Sequence, residues 1–556
     1  MRLPERRGHP GEDQVERWYR AGYWRRELVG ELLEQQAAQR PDGLAVVDAD
    51  RRVTWQELYR LSRRLAAHLR SIGIGPGDAV AVQLPNWLEY LVSYYGIQLA
   101  GAVVVQPGID WRTVELEHAL QTGPVRAIIV PREFRVDFPA MIAALRPRLP
   151  HLEHVIVARG SAPAGCLSLD RLLEDPLETR SGQALRREER SSEDMTRIVF
   201  TSGTTGIPKP VVHTNNSVAF SVAALTSAFH FTAGDVVFMY VPFSTNYGAI
   251  TGLHLPVTLG ATVVLMDRFD PDRVLERIER ERVTFIPGTP TAFLALLGSP
   301  ELGRRDLGSL RLAFASGASG PPGLLQRVRD GLHTAAVEGY GMNEFGLAMW
   351  FTPQDDPAIV DGTIGRPIPG VEARVVRDDG QPAAVGEPGE MVIKSPGMSA
   401  GYLDSPEANA AAWDEQGWFH SGDLMTRDEH GNFRVVGRSK DIIIKGGANV
   451  SPREVEDALA GHPGVHEVSV VGLPDPYYGE VVCACVVPEP GAALTLEAVQ
   501  EFLKPKIAFF KLPSHLLVCD ALPRNSMGKV KKGILKQRAQ QSTETDTVKE
   551  VSRRES

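Results

Sequence analysis

The sequence predicts an α/β fold: a large N-terminal domain of mainly parallel, helix-covered sheets, followed by a small mobile α+β C-terminal domain. Three observations carry this. From residue 236 onward, short β-branched runs alternate with segments of helical period, the pattern of βαβ units. Glycine-bearing loops follow several of these runs. After residue 436 the pattern changes to short strands and turns with two or three helices. A chain of 556 residues also exceeds one ordinary core, since a structural unit averages roughly 150 residues.

Taken in order, residues 1–25 are rich in Arg, Glu, Pro and Gly and read as a disordered tail. The N-terminal domain is expected over 26–439. Within it a charged connection, "LETRSGQALRREERSSEDMT", reads as solvated and leads into "RIVFTSGTTGIPKP". Strands are expected at "VVFMYVPF" and "ATVVLM", a helix at "PDRVLERIERE", a strand at "VTFIPG", a helix at "TAFLALL" and a strand at "LRLAFASG". Ligands of such sheets bind at the carboxyl ends of strands. That directs attention to the loops "TSGTTG", "SGASG" and "GYGMNE".

The C-terminal domain is expected over 440–535, with a polar tail over 536–556. Ser451, Pro452 and Glu454 form an S-x-x-E capping box with proline at the first helical position, which starts the helix "PREVEDALA". Glu454 and Glu456 therefore read as capping and surface charge, not as a catalytic dyad. In "VVCACVV" the thiols of Cys483 and Cys485 share one strand face and read as core.

Composition narrows the function. With 43% hydrophobic and 23% charged residues the chain is a globular enzyme type. A net charge of −9 gives no footprint for nucleic acid. The four cysteines (Cys166, Cys483, Cys485, Cys519) form no CxxC pair, so neither a disulfide framework nor zinc is indicated. No apolar run reaches the ~18 residues of a membrane span, and a cytoplasmic location is expected. His213, His462 and His466 read as structural despite the H-x3-H spacing of the last two.

In "TSGTTGIPKP", Gly203 and Gly206 permit tight turns, Thr201, Ser202, Thr204 and Thr205 offer hydroxyls, and Lys209 supplies a point charge. This is not a Walker A loop, because glycine and lysine are not adjacent and no Ser/Thr follows the lysine. Alone, it leaves a phosphate loop and an ordinary surface turn both open.

Four further motifs follow in order: "YGMNE" (340–344), "WFHSGDL" (418–424), "GRSKDIIIKGGANVSPREVE" (437–456) and "LPRNSMGKVKK" (522–532). Together with the loop they resemble the adenylate-forming superfamily of acyl-CoA synthetases, luciferase-like enzymes and peptide-synthetase adenylation domains, across roughly residues 30–535. The resemblance implies an acyl-CoA ligase. A carboxylate attacks the α-phosphate of ATP to give acyl-AMP, and the thiol of coenzyme A then displaces AMP; the protein's work is positioning and charge stabilisation.

By resemblance, Glu344 holds Mg²⁺, Tyr340 stacks on adenine, and Gly317, Ala318 and Ser319 line the base with Glu338, Gly339 and Asn343 nearby. Asp423 holds the ribose hydroxyls with help from Arg438. Lys529 is the adenylation lysine, and Lys440 sits at the hinge about which Gly446 and Gly447 come to flank the pantetheine tunnel. The acyl pocket is expected from Thr245, Asn246, Tyr247, Gly248, Gly339, Met342 and Leu347. Its small residues and the polar Thr245 and Asn246 suggest room for a bulky, partly polar aryl or alicyclic acid. The implied partners are that acid (or its acyl-AMP) and CoA, with no nucleic acid and no membrane; a homodimer stays open. No carrier domain is expected after "KGILKQRAQ".

The sequence departs from the family pattern at three places. Pro210 follows Lys209 where glycine is usual, Thr245 stands where histidine is common, and Asn343 replaces a threonine. Proline removes an N–H and fixes φ, so a loop that closes over pyrophosphate loses a donor and some freedom. An amide at Asn343 can still donate. Alternative readings are thus an enzyme impaired in adenylation that thioesterifies externally supplied acyl-AMP, transfer to a carrier protein, and a non-catalytic nucleotide or CoA binder.

Overall fold

The computed structural model describes residues 3–180, 190–201, 208–318, 320–321, 323–357, 362–525 and 528–542. Among the described residues the N-terminal part builds two large sheets and a smaller one. The first runs, from edge to edge, through 401–402, 210–214, 195–200, 103–105, 79–82, 125–131, 154–158 and 167–168. All its strands from 195–200 to 167–168 are parallel, and 210–214 pairs antiparallel. The second carries 335–342, 312–315, 285–288, 236–239, 262–265 and 44–48 as its parallel centre. Residues 372–376, 389–394, 419–427 and 433–438 form an antiparallel sheet beyond them.

The expected elements form for the expected reasons. "PDRVLERIERE" is the helix Pro271–Glu281, capped by Asp270 accepting from the Arg273 N–H, with Val274, Leu275 and Ile278 on its buried face. "TAFLALL" lies in the helix Pro290–Leu297, capped by Thr289. Strands occupy Val236–Met239, Thr262–Leu265, Phe285–Gly288 and Leu312–Ala315. One hydrophobic core joins both large sheets, from Val29 to Phe433.

The C-terminal unit is a mainly antiparallel sheet of 448–450, 443–445, 479–488, 465–475 and 515–518 with helices on it. Its helix Pro452–Ala460 starts where Ser451 accepts from the Glu454 N–H. Glu454 is engaged by Lys511, and Glu456 holds Lys532 and the Val470 N–H. Neither is part of a dyad. Cys483 and Cys485 are buried together.

Three segments differ from the sequence reading. The tail expected over 1–25 contains the helix α1 (Glu12–Arg20) and packs on the body from Glu5 onward. Its composition speaks against an independent core, but its partners come from far along the chain, among them Ser192, Asn216, Phe220, Gly370, Pro396 and Ser399. The connection before the glycine-rich loop is anchored at its start, where Glu178 meets Arg64 in a buried, bidentate pair. The polar tail expected from 536 begins inside a helix of residues 532–542, whose Leu535 and Ala539 cover Cys483 and Cys485.

Candidate active site

Strand β1 (Met195–Phe200) and strand β2 (Pro210–Thr214) hold the two ends of the glycine-rich loop. Ser202, Gly203, Thr204, Thr205 and Gly206 lie outside the described residues, as does Ser319. The flanks are closed by Thr201 N–H donating to Lys209 O (3.0 Å) and Lys209 N–H donating to Thr201 Oγ1 (3.2 Å).

The geometry of Pro210 corrects one expectation. Pro210 is the first residue of β2, and its carbonyl accepts from the Leu403 N–H. In a strand the N–H and C=O of one residue face the same side. The donor that proline removes would therefore face residues 401–403, away from β1. First position on a strand is where proline is tolerated.

Strand β3 (Ala335–Met342) delivers Tyr340 and leads to Asn343 and Glu344. Tyr340 donates to Asp423 Oδ2 at 2.6 Å, and Arg438 Nε lies 2.8 Å from Asp423 Oδ1. Strands β4 (Phe419–Arg427) and β5 (Phe433–Arg438) place these two opposite each other. The ion pair is off the hydrogen-bond line, so the buried Oδ1 has no aligned donor. That oxygen is a buried acceptor to which a hydroxyl donor could bond. Burial, then Asp423, pushes the Tyr340 hydroxyl far above its ordinary pKa, so it stays a donor.

Glu344 is buried and accepts from the Tyr402 hydroxyl at 2.8 Å. Its carbonyl accepts from the Ser399 N–H. Burial raises the carboxyl pKa, and Tyr402, Lys209 and Arg438 oppose that rise. Lys209 Nζ sits 4.8 Å from the centre of the Tyr402 ring. Sequence reasoning missed Tyr402 and Ser399, because a lone tyrosine in "SAGYLDSPEA" carries no local signal; its role arises only from the fold.

The C-terminal unit brings Lys529 to this cluster. Arg453 donates to Gly320 O (2.8 Å), and Gly528 lies against Thr289 and Thr291. The Lys529 pKa is lowered to about 8, chiefly by burial, with Arg438 and Lys440 adding to the fall and Asp423 opposing it. Lys440 lies in the turn Ser439–Asp441, and Gly446 and Gly447 lie in a hairpin turn at φ +59° and +84°. Gly317 and Ala318 are exposed just beyond the strand Leu312–Ala315.

The expected acyl-pocket residues are near one another but largely engaged already. Thr245 caps the helix Asn246–Ala249, accepting from Gly248 N–H and donating to Pro242 O. Tyr247 donates to Phe314 O. Asn246 accepts from Arg197 and reaches Asn343 O, while Asn343 donates to Phe200 O at 2.8 Å. One Asn343 N–H is thus already committed to the end of β1. The glycines do not mark empty room either: a Cβ at Gly248 would meet Pro242 O at 2.1 Å, and one at Gly339 would meet the Phe314 ring at 2.3 Å. Met342 is half-buried, and buried Leu347 donates its N–H to Ser221 Oγ.

His213 is buried with Nδ1 against Ser217 Oγ, His462 Nδ1 accepts from the Gly464 N–H, and His466 meets Glu489. His213 is part of the buried interior, and His466 is an exposed surface contact.

Comparison with known proteins adds the following. The family model for AMP-binding enzymes matches residues 33–403, and that for the AMP-binding enzyme C-terminal domain matches residues 454–529. The chain is 36% identical over 504 residues to a 3-[(3aS,4S,7aS)-7a-methyl-1,5-dioxo-octahydro-1H-inden-4-yl]propanoyl:CoA ligase of Rhodococcus jostii, covering 89% of this chain and 95% of that one. It is 33% identical over 536 residues to a medium-chain fatty-acid–CoA ligase of Escherichia coli, covering 95% and 94%. Among solved structures, an anthranilate CoA ligase in complex with anthranoyl-AMP superposes with a TM-score of 0.84 at 25% identity, over 94% of this chain and 98% of that one.

Proposed function

The chain belongs to the AMP-binding enzyme family, and from that premise we propose a division of labour among its residues. The protein is an acid–thiol ligase that converts a carboxylic acid, ATP and CoA into acyl-CoA through an acyl-AMP. In our reading Asp423, oriented by Tyr340 and Arg438, takes the ribose hydroxyls. Lys529 supplies an ammonium to the phosphoryl centre in the first step. Lys209 and the hydroxyl-bearing loop serve the outgoing pyrophosphate.

Glu344 would hold Mg²⁺. A single carboxylate fits that ion, which keeps several waters and takes its other ligands from substrate phosphates. When bound, it supplies charge neutralisation at those phosphates. Lys440, Gly446 and Gly447 would serve the second step, after the C-terminal unit turns about Lys440.

The observation that carries this reading is the convergence of Tyr340, Asp423 and Arg438 with Lys529 from the C-terminal unit. It favours an ordinary two-step ligase over one confined to thioesterification, as does the outward face of Pro210. For the acid we propose a bulky cyclic carboxylic acid. The support is the bicyclic propanoyl group in the name of the Rhodococcus relative, since the small residues near the pocket are filled by their neighbours.

The test is incubation with ATP, Mg²⁺ and CoA beside a panel of alicyclic, aryl and medium-chain acids, with AMP and acyl-CoA measured. Turnover greatest with a ring-bearing acid is expected. Preference for the unbranched acids removes the substrate proposal, and AMP release without acyl-CoA points to a different acceptor.

A further inference from the structure

The N-terminal arm, residues 3–25, lies before the first residue of the family match, yet it is built onto the segment that holds Glu344. Arg6 Nε donates to Ser399 O at 3.0 Å, and its guanidinium lies 5.5 Å from the Trp413 ring centre. Burial pushes the Arg6 pKa down to about 10, still a full cation at neutral pH. Asn409 donates to Glu5 O (3.4 Å) and to Tyr402 O, and its Oδ1 accepts from the Tyr402 N–H. Gly8 packs backbone to backbone on Gly417. At the far end of the arm, Trp24 Nε1 donates to Pro396 O at 2.8 Å, and Tyr19 reaches Ser192 and Asn216.

The clamped segment has two contacts with Glu344: the Ser399 N–H to its carbonyl and the Tyr402 hydroxyl to its carboxylate. Ser399 is therefore held through its C=O by Arg6 and through its N–H by Glu344. Trp413 joins the same unit, its ring 5.4 Å from that of Tyr402. To the bonds that already tie Ala400 and Leu403 to β2, the arm adds grips at Pro396, Ser399 and Asn409, which help to set where the Tyr402 hydroxyl sits. Carboxylates that bind metals depend on such outer contacts for their orientation.

We propose that Arg6 is a positioning residue for the adenylation half-reaction, acting through Ser399 and Tyr402 on Glu344. The proposal rests on the reading of Glu344 as the metal-binding carboxylate, and its test separates the two.

The test uses the full chain and measures binding of ATP by calorimetry with Mg²⁺ and with EDTA, and binding of AMP, for wild type, Arg6→Gln, Arg6→Lys and Glu344→Gln. Melting temperatures are recorded beside each. Glu344→Gln is expected to abolish the gain in ATP affinity that Mg²⁺ brings. Arg6→Gln should reduce that gain on the order of tenfold, the lower end of what outer contacts to a metal ligand cost, with AMP affinity unchanged. Arg6→Lys keeps a cation and an N–H donor and should recover most of it.

If Glu344→Gln loses the Mg²⁺ gain while Arg6→Gln keeps it, the proposal is overturned and the reading of Glu344 stands. If Glu344→Gln keeps it, that reading falls, and the proposal with it. Parallel losses of AMP and ATP affinity in Arg6→Gln with no recovery in Arg6→Lys would reduce the arm to general packing and also overturn the proposal.

Discussion

Replacing Lys529 by methionine should raise stability while removing most adenylation. The ammonium is held at a pKa of about 8 against an ordinary 10.5, chiefly by burial, with the neighbouring cations Arg438 and Lys440 adding to it. Each pKa unit is about 1.4 kcal/mol, so the protonated form is disfavoured by about 3 kcal/mol at neutral pH. The folded pKa lies below the unfolded one, so the unfolded chain binds more protons between pH 8 and 10.5. Stability of the wild type should therefore rise with pH across that window. Lys529→Met removes the buried charge and should flatten that rise, melting higher at pH 7.

Its adenylation rate should fall on the order of 10²- to 10³-fold, the usual cost of losing one preorganised group at a developing charge. Turnover of supplied acyl-AMP with CoA should persist. The two kinetic constants also separate. kcat/KM reports the free enzyme, so for the wild type it should decline above pH 8. kcat reports the enzyme with nucleotide bound, where phosphate charge raises the lysine pKa, and should hold to higher pH. Measuring pyrophosphate release and thioester formation separately over pH 6–10, with melts beside them, checks all of this. Lys529→Met that adenylates normally, or melts lower than wild type, would refute the reasoning.

Other sites give distinct expectations. Asp423→Asn keeps the shape but removes the charge facing Arg438. It should weaken ATP by about 1.5–3 kcal/mol, the range for a hydrogen bond to a charged group. It should also abolish discrimination against 2′,3′-dideoxy-ATP, read by calorimetry with both nucleotides. Gly447 has φ +84°, which an alanine adopts at a cost of about 1–2 kcal/mol. Gly447→Ala should slow acyl transfer to CoA and leave pyrophosphate release unchanged, and equal slowing of both would remove the glycine hairpin from the second step. Asn246→Leu takes an acceptor from Arg197, which is fully buried and whose other aligned acceptor is Gln106. Losing a hydrogen bond to a charged group costs about 1.5–3 kcal/mol, so chemical denaturation should show a loss of that size.

Much of the fold was legible because local signals agreed with tertiary packing. The helices Pro271–Glu281 and Pro452–Ala460 announce themselves by caps and apolar spacing, and both occur with those boundaries. The conjunction of Tyr340, Asp423, Arg438 and Lys529 is implied by the family resemblance that the ordered motifs carry, and the structure brings these residues together. What escaped is long-range. The arm at 3–25 has the composition of a tail and packs on residues about 170 to almost 400 positions away. Thr245 and Asn246 look like pocket polarity in sequence, yet a helix cap and a buried arginine use them. Small residues read as space are small because Pro242 and Phe314 press on them. Tyr402 had no signal at all, since nothing in its neighbours predicts that its hydroxyl meets a glutamate 58 residues earlier.

Pro210 has a mechanical consequence. The short strand Gly401–Tyr402 is an edge partner of β2, held there by Ala400 N–H on Val212 O and Leu403 N–H on Pro210 O. With no N–H at position 210, nothing donates back from that residue, so the joint at the start of β2 is fastened in one direction only. The seam between β2 and the segment that touches Glu344 thus lacks one hydrogen bond at its inner end, while the N-terminal arm grips that segment from the other side.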